Sequence, residues 1–365
     1  MPSPMSTFAD QDFVDLGLPI RTERLILRAG GLDDVDTLHA RRNEPGAKEF
    51  QSWAVPYPRH KVVALLEELV EMPGPTLGEW WMLMVDIPGD GGTADVTIGD
   101  IAVHLDESGS IAEIGYNVAS VHWGRGYATE AALAVIGRLF DRHPGLIRVQ
   151  AQMDPDNLAS GMVAERCGLI YEGQTRLSFL PEDPDEEPSD NRIYGMLRAD
   201  WEAWNNRTTG PPKEVRLVEI TAENVRAVCD LATHRSQDHL VAPVAHSLAE
   251  AFVARNRGDG GRNPWCRAVE ADGELAGFVM LAAPTEVSSE PYLWRMLIDR
   301  RHQRRGIGRR VLDLVVDQAR RWGGTRLLVS WVPGPGSPEP FYRGHGFVAT
   351  GPADDSGEVP GSLSL

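Results

Sequence analysis

His302-Gln303-Arg304-Arg305-Gly306-Ile307-Gly308-Arg309 decides how this chain is read. It follows an apolar run, Tyr292-Leu293-Trp294-Arg295-Met296-Leu297-Ile298, that predicts a buried strand. It opens the pattern Ile307, Val311, Leu314, Val315, Ala319, which predicts an amphipathic helix. A glycine-bearing turn between strand and helix leaves backbone N–H groups unpaired at the helix start. Those donors and the helix dipole favour an anion, most simply a phosphate. Glycine lets the backbone come close, because a Cβ would block the approach. The spacing is neither that of a dinucleotide fold nor that of a P-loop.

A second copy lies 180 residues upstream, where Trp123-Gly124-Arg125-Gly126-Tyr127-Ala128 aligns with Gln303-Arg304-Arg305-Gly306-Ile307-Gly308. It too follows a strand-like run, Ile114-Gly115-Tyr116-Asn117-Val118, and opens a helix with Ala131, Ala132, Val135, Ile136, Leu139 and Phe140 on one stripe. Two strand–loop–helix units one domain apart predict a duplicated architecture.

The 365 residues suit two domains, each long enough for its own core. The net charge of −17 is uneven: residues 1–209 hold 17 Lys+Arg against 34 Asp+Glu, and residues 210–365 hold 19 against 19. That asymmetry supports separate units. It argues against nucleic acid, which needs a basic face, and suits a cationic substrate such as an amine. Three scattered cysteines, Cys167, Cys229 and Cys266, form neither a disulfide framework nor a metal spacing, and the histidines show none; no metal is expected. Neither a signal peptide nor an apolar run of about 18 residues is present, so the expectation is a cytoplasmic protein with no membrane partner.

Residues 1–19 read as a poorly ordered lead, 20–204 as the first domain, 205–213 as a polar linker, and 214–365 as the second domain. In the first, Ile20–Arg28 alternates like one strand, Asp33–Asp36 opens a helix, and Pro58–Met72 contains another. Trp80–Val85, Val96–Val103, Ala112–Val118, Ile147–Gln152 and Ile193–Leu197 read as strands, and Asp154–Asn157 turns into a helix capped by Gly168. Residues 182–190 form an acidic, proline-broken loop. In the second, Val215–Ile220, Trp265–Glu270, Glu274–Ala282 and Arg326–Trp331 read as strands, Val225–Thr233 as helical, and Ser247–Arg255 as a helix with serine as N-cap.

The order Gln-x-x-Gly-x-Gly, with arginines between, resembles the pyrophosphate loop of the GNAT N-acetyltransferases, which hold acetyl-CoA. The second half resembles this family over almost its full length. Gln237–Pro243, Tyr292-Leu293-Trp294-Arg295 and Pro333–Tyr342 are similar to the diamine and spermidine type. The first half resembles the branch of ribosomal-protein N-terminal-alanine acetyltransferases, through Arg24–Arg28, Ala112–Tyr116, Trp123–Ala131, Asn157–Ser160 and Glu165–Gly168.

The resemblance implies two α/β domains, each a mixed, mostly antiparallel sheet flanked by helices and splayed where acetyl-CoA enters. It implies an acyltransferase with acetyl-CoA as donor and direct transfer in a ternary complex. The donor-binding set becomes Val118, Trp123, Gly124, Arg125, Gly126, Tyr127, Ala128, Thr129 and Asn157 in the first domain. In the second it becomes Leu297, Ile298, Gln303, Arg304, Arg305, Gly306, Ile307, Gly308 and Arg309. Tyr342 would be the general acid for the CoA sulfur, with Ser160 near the sulfur in the first domain and Glu113 as its base. Asn157 reads equally as a helix N-cap, and Glu113 equally as a salt-bridge partner. Trp294 stands where some relatives carry an acid, which leaves Glu290 as a weak base for the second domain, with a relay water as the alternative.

The acceptor expected is a small-molecule primary amine: a polyamine, amino sugar or aminated metabolite. Three alternatives stand beside it: one catalytic domain with a non-catalytic CoA- or substrate-binding partner domain, protein N-terminal acetylation by the first domain, and a non-enzymatic CoA or amine sensor. A homodimer is left open.

Overall fold

The computed structural model describes residues 13–45, 49–51, 53, 55–90, 93–181, 187–256, 262–334 and 336–365. The chain divides into two compact units, Met1–Asn205 and Asn206–Leu365.

The first unit runs β1 (Ile20–Arg21), β2 (Ile26–Ala29), α1 (Val35–Arg42), α2 (Arg59–Glu71), β3 (Trp80–Ile87), β4 (Val96–Leu105) and β5 (Ile111–Val118). It continues with α3 (Tyr127–Arg142), β6 (Arg148–Met153), α4 (Leu158–Arg166), β7 (Ile170–Phe179), β8 (Ser189–Leu197) and α5 (Arg198–Asn206). The eight strands lie in the order β1-β2-β3-β4-β5-β6-β8-β7. Every pairing is antiparallel except β5 with β6, which is parallel and ends at Glu113↔Gln150. Beyond Glu113 the two strands part, and the last five residues of β5 have no ladder on that side. The apolar stripe of α3 is buried as its periodicity predicts: Ala131, Ala132, Val135, Ile136, Leu139 and Phe140.

The second unit runs β9 (Val215–Val218), α6 (Val225–Cys229), α7 (Val244–Asn256), β10 (Asn263–Ala271), β11 (Glu274–Ala283) and β12 (Tyr292–Ile298). It ends with α8 (Ile307–Arg321), β13 (Arg326–Trp331), α9 (Glu339–Gly344), β14 (Val348–Ala349) and β15 (Val359–Ser364). The order is β14-β15-β13-β12-β11-β10-β9. Its one parallel pair, β12 with β13, matches only Tyr292↔Leu328 and Leu293↔Val329. Each unit is thus a mixed, mostly antiparallel sheet with helices, split open at its parallel step.

A bulge sets the second sheet apart. Leu281 faces Leu293 and Met280 faces Arg295, so Trp294 is an extra residue in β12. Leu293 and Leu297 would share a face in a regular strand. Here Leu293 joins the core under α8, and Leu297 joins the core under α6 and α7. The β4–β5 ladder of the first unit runs from Gly99↔Val118 to Leu105↔Ala112 without such a shift.

Several local expectations change. Ile20–Arg28 is a pair of short antiparallel strands, closed by Thr22 N–H to Leu25 O (3.0 Å) and Leu25 N–H to Thr22 Oγ1 (2.9 Å). Of the lead, residues 1–12 lie outside the described residues, and 13–19 are packed: Val14 and Leu16 are buried, and Phe13 bridges Thr76. Helix α6 stops at Cys229. Helix α7 starts at Val244, so Ser247 lies inside it, its hydroxyl donating back to Pro243 O (3.1 Å) rather than capping. Strands β7 and β15 carry weak alternation and are supplied by pairing with β8 and β13. Of the acidic loop 182–190, residues 182–186 lie outside the described residues, and Ser189 already begins β8.

Candidate active site

The two loops have one backbone shape. Gly124 and Gly126 take φ of 73° and 80°; the aligned Arg304 and Gly306 take 64° and 77°. Gly126 and Gly306 are the N-caps of α3 and α8, so each loop turns the first amides of a long helix outward. A Cβ on Gly306 would meet nothing within 4 Å, so the space over this turn is open to a ligand.

Side chains in the loops divide into those that face the opening and those that hold the turn. Trp123 Nε1 donates to Val118 O (2.6 Å), and Gln303 Nε2 donates to Ile298 O (3.1 Å) and Gln237 Oε1 (2.8 Å). Arg305 is buried and turned inward, giving Nε–H to Gly210 O (3.1 Å) and meeting His302 Nδ1 at 3.0 Å. Arg304 and Arg309 are exposed and line the cavity beside the loop. In the first unit Arg125 is exposed, and its carbonyl accepts from Arg24 Nη1 (3.0 Å). The Arg24 guanidinium lies 4.7 Å from the centre of the Tyr127 ring. Ala128 and Thr129 fall in the first turn of α3.

In the second unit a cavity of about 750 Å³ occupies the splay between β12 and β13. Leu297, Ile298, Gln303, Arg304, Gly306, Ile307, Gly308, Arg309 and Tyr342 line it, so the sequence-derived set converges here, apart from Arg305. Tyr342 is packed on Trp331, Phe341 and Phe347, with ring centroids 5.9, 5.4 and 5.6 Å away. Burial pushes its hydroxyl well above the ordinary tyrosine range, so it stays protonated and able to donate. Among the described residues, the buried Nε1 of Trp331 and Nε of Arg295, two residues that line the cavity, have no hydrogen-bond partner. Glu290 is elsewhere: it accepts from the Thr325 hydroxyl (2.5 Å) and from the Thr325 and Arg326 amides (3.0 and 2.8 Å), which hold its carboxyl below the usual range. It ties β12 to β13 outside the cavity.

Sequence reading overlooked two polar groups of this cavity, Ser330 and Glu358. Ser330 alternates with the buried Val329 and Trp331, so it points to the α6–α7 face; its hydroxyl meets Tyr292 OH at 2.7 Å and donates to Glu358. No short-range signal marks Glu358, which stands in a Gly/Asp-rich stretch before β15.

The first unit does not gather its candidates. Glu113 accepts from Gln150 Nε2 (3.0 Å) and Gln152 Nε2 (2.8 Å), on one face of the sheet. Tyr116, three residues on, points to the other face and gives its hydroxyl to Ser160 O (2.6 Å). Glu113 and Ser160 are therefore on opposite faces. Asn157 Oδ1 accepts from Ser160 N (3.0 Å) and is the N-cap of α4. Gly168 and Gly346 close α4 and α9 with φ of 90° and 97°; four residues before them stand Ala164 and Tyr342. The first unit has an alanine where the second has its buried phenol.

Among the described residues no group of three or more His, Cys, Asp or Glu is arranged for a metal, and no helix is long and apolar enough to cross a membrane.

A splayed parallel step with a left-handed glycine turn beside it, present twice, defines a pair of acyl-CoA-type transferase folds. Residues 24–170 match the acetyltransferase (GNAT) domain, and residues 220–347 match the acetyltransferase (GNAT) family. The chain belongs to the GNAT family as a tandem of two such domains, and it is an acyltransferase. Among curated proteins it is 46% identical to YkkB of Bacillus subtilis over 66 residues, 18% of this chain and 37% of that protein. It is 28% identical to the N-acetyltransferase p20 of Bacillus licheniformis over 156 residues, 42% of this chain and 84% of that protein. A solved GNAT acetyltransferase from Bacillus anthracis aligns with 49% of this chain and 97% of its own, at 23% identity and a TM-score of 0.42.

Proposed function

We propose that the second domain carries the acetyl transfer, moving the acetyl group of acetyl-CoA to the primary amine of a small molecule in a ternary complex. The observation that carries this reading is the cavity in the β12–β13 splay, which has the glycine turn at one side and the buried phenol of Tyr342 at another. The amides at the start of α8, with Arg304 and Arg309, hold the pyrophosphate. The unpaired edge of β12 at Leu297 and Ile298 hydrogen-bonds the pantetheine arm, and a β12 amide stabilises the oxyanion. Tyr342 gives its proton to the departing thiolate.

The first domain is read as an auxiliary unit that binds CoA or substrate without turnover. Ala164 at the position of Tyr342, and Glu113 on the face opposite Ser160, support that role.

The test is CoA thiol release from acetyl-CoA across spermidine, putrescine, aminoglycosides, amino acids and short peptides, with bulky replacements at Gly306 and Gly126. Turnover of small amines that is lost with Gly306→Trp and kept with Gly126→Trp supports the assignment. Loss confined to Gly126→Trp moves catalysis to the first domain, and preference for peptides there favours N-terminal acetylation. No turnover with acetyl-CoA still bound points to a sensor.

A further inference from the structure

We infer that Glu358 is the group that receives the acceptor amine and takes up its proton, a role resting on the second domain as the transferase. The carboxylates that line the cavity are Asp238 and Glu358. Asp238 is neutralised by Arg235 at 2.8 Å. Glu358 has no ion-pair partner among the described residues, and its hydrogen-bond donor is the Ser330 hydroxyl.

Its position separates it from the acid. Tyr342 belongs to the core under α8, whereas Ser330 points to the α6–α7 face and carries Glu358 with it. The cavity passes through the split in the sheet between them. The sulfur is already bonded to the thioester carbon and the amine adds to a face of that carbonyl, so the acid for the sulfur and the base for the amine serve different atoms, and the base belongs beside the amine, away from Tyr342. Glu358 reaches Tyr292 through Ser330, with the Arg262 guanidinium 5.1 Å from the Tyr292 ring, and its own amide donates to Asp354; the other charged and titratable groups lining the cavity are Asp238, His239, Arg295, His302, Arg304, Arg309 and Tyr342.

The step balances. An alkylammonium gives one N–H proton to the Glu358 carboxylate, which passes it to solvent, and the freed lone pair forms the C–N bond. The C–S bond breaks with its electron pair on sulfur, and the Tyr342 hydroxyl protonates the thiolate. The second proton, shed by the new amide nitrogen, restores the phenol through water. The sum is amide, free thiol and one proton released.

The test measures kcat/KM against pH for Glu358→Gln, Glu358→Asp and Ser330→Ala, with two acceptors: an alkylamine, charged at neutral pH, and a weakly basic amine such as a hydroxylamine ether, neutral there. Acetyl-CoA binding is followed by calorimetry, and folding by thermal melts. Glu358→Gln is expected to lower kcat/KM for the alkylamine by about 100-fold and to flatten the acid limb of its profile. The weakly basic amine should lose only a few-fold, Glu358→Asp should retain the acid limb, and acetyl-CoA affinity should not change. Equal losses for both amines, or an unchanged acid limb in Glu358→Gln, overturns the role. If Gly306→Trp leaves acetyl-CoA binding and turnover intact, the assignment of the second domain fails instead, whatever Glu358 does.

Discussion

Trp123 and Gln303, aligned residues of different chemistry, make the same contact: each donates a side-chain N–H to the last carbonyl of the preceding strand, Val118 O at 2.6 Å and Ile298 O at 3.1 Å. The contact pins the turn while the backbone presents its amides outward. Gln303→Ala should cost about 1 kcal/mol in chemical denaturation and weaken acetyl-CoA binding by a few-fold. Trp123→Gln, which keeps an N–H donor, should change neither by as much.

Tyr342→Phe keeps the packing on Trp331 and Phe347 and removes only the hydroxyl. We expect kcat to fall by roughly 100-fold with an unchanged melting temperature. Tyr342→Ala should instead lose about 3 kcal/mol or more of stability, because the ring is core. Equal activity in Tyr342→Phe and the unaltered protein would remove Tyr342 from the chemistry.

Gly306 holds φ at 77°, where a side chain costs about 1 kcal/mol. Gly306→Ala should lose about that much in denaturant titration and reduce acetyl-CoA affinity, since its Cβ enters the open space over the turn.

Glu290→Gln separates a strand tie from a base. The carboxylate bonds three donors at Thr325 and Arg326 and lies outside the cavity. The melting temperature should drop while kcat and its pH profile stay unchanged; a lost acid limb would return Glu290 to candidacy.

Arg28 joins two buried carboxylates, Asp34 at 2.7 Å and Asp86 at 2.6 Å. Burial opposes the charge on Asp34, yet hydrogen bonds from Arg28 and the Gly31 amide hold its carboxyl below the usual range. Its contribution to stability is therefore present above the unfolded-state pKa of about 3.9 and is lost as pH falls through the lower folded value. Arg28→Met should destabilise by about 2 kcal/mol or more at pH 7, and the deficit should shrink below about pH 4. A deficit independent of pH would place it in packing alone.

The local signals proved legible where they depended on near neighbours. The strand–turn–helix units around Gly126 and Gly306 and the buried stripe of α3 follow from periodicity and glycine placement. Weakly patterned β7 and β15 did not, because their own windows carry little alternation and pairing with β8 and β13 fixes them. The arginines of the second loop looked equivalent, yet Arg305 turns inward to Gly210 and His302 while Arg304 and Arg309 face the cavity.

By itself, the sequence determined two units, the place of each left-handed glycine turn, and the family to which both belong, since these rest on contacts within a few residues. Only the tertiary structure decided which side chains share a site. Glu113 and Ser160 are 47 residues apart and fall on opposite faces, because strand alternation is counted from a ladder that no short window contains. Glu358 reaches the cavity only because β15 pairs antiparallel with β13 and sets it beside Ser330. One extra residue at Trp294 turns the end of β12 over, and register of that kind is settled by the whole sheet.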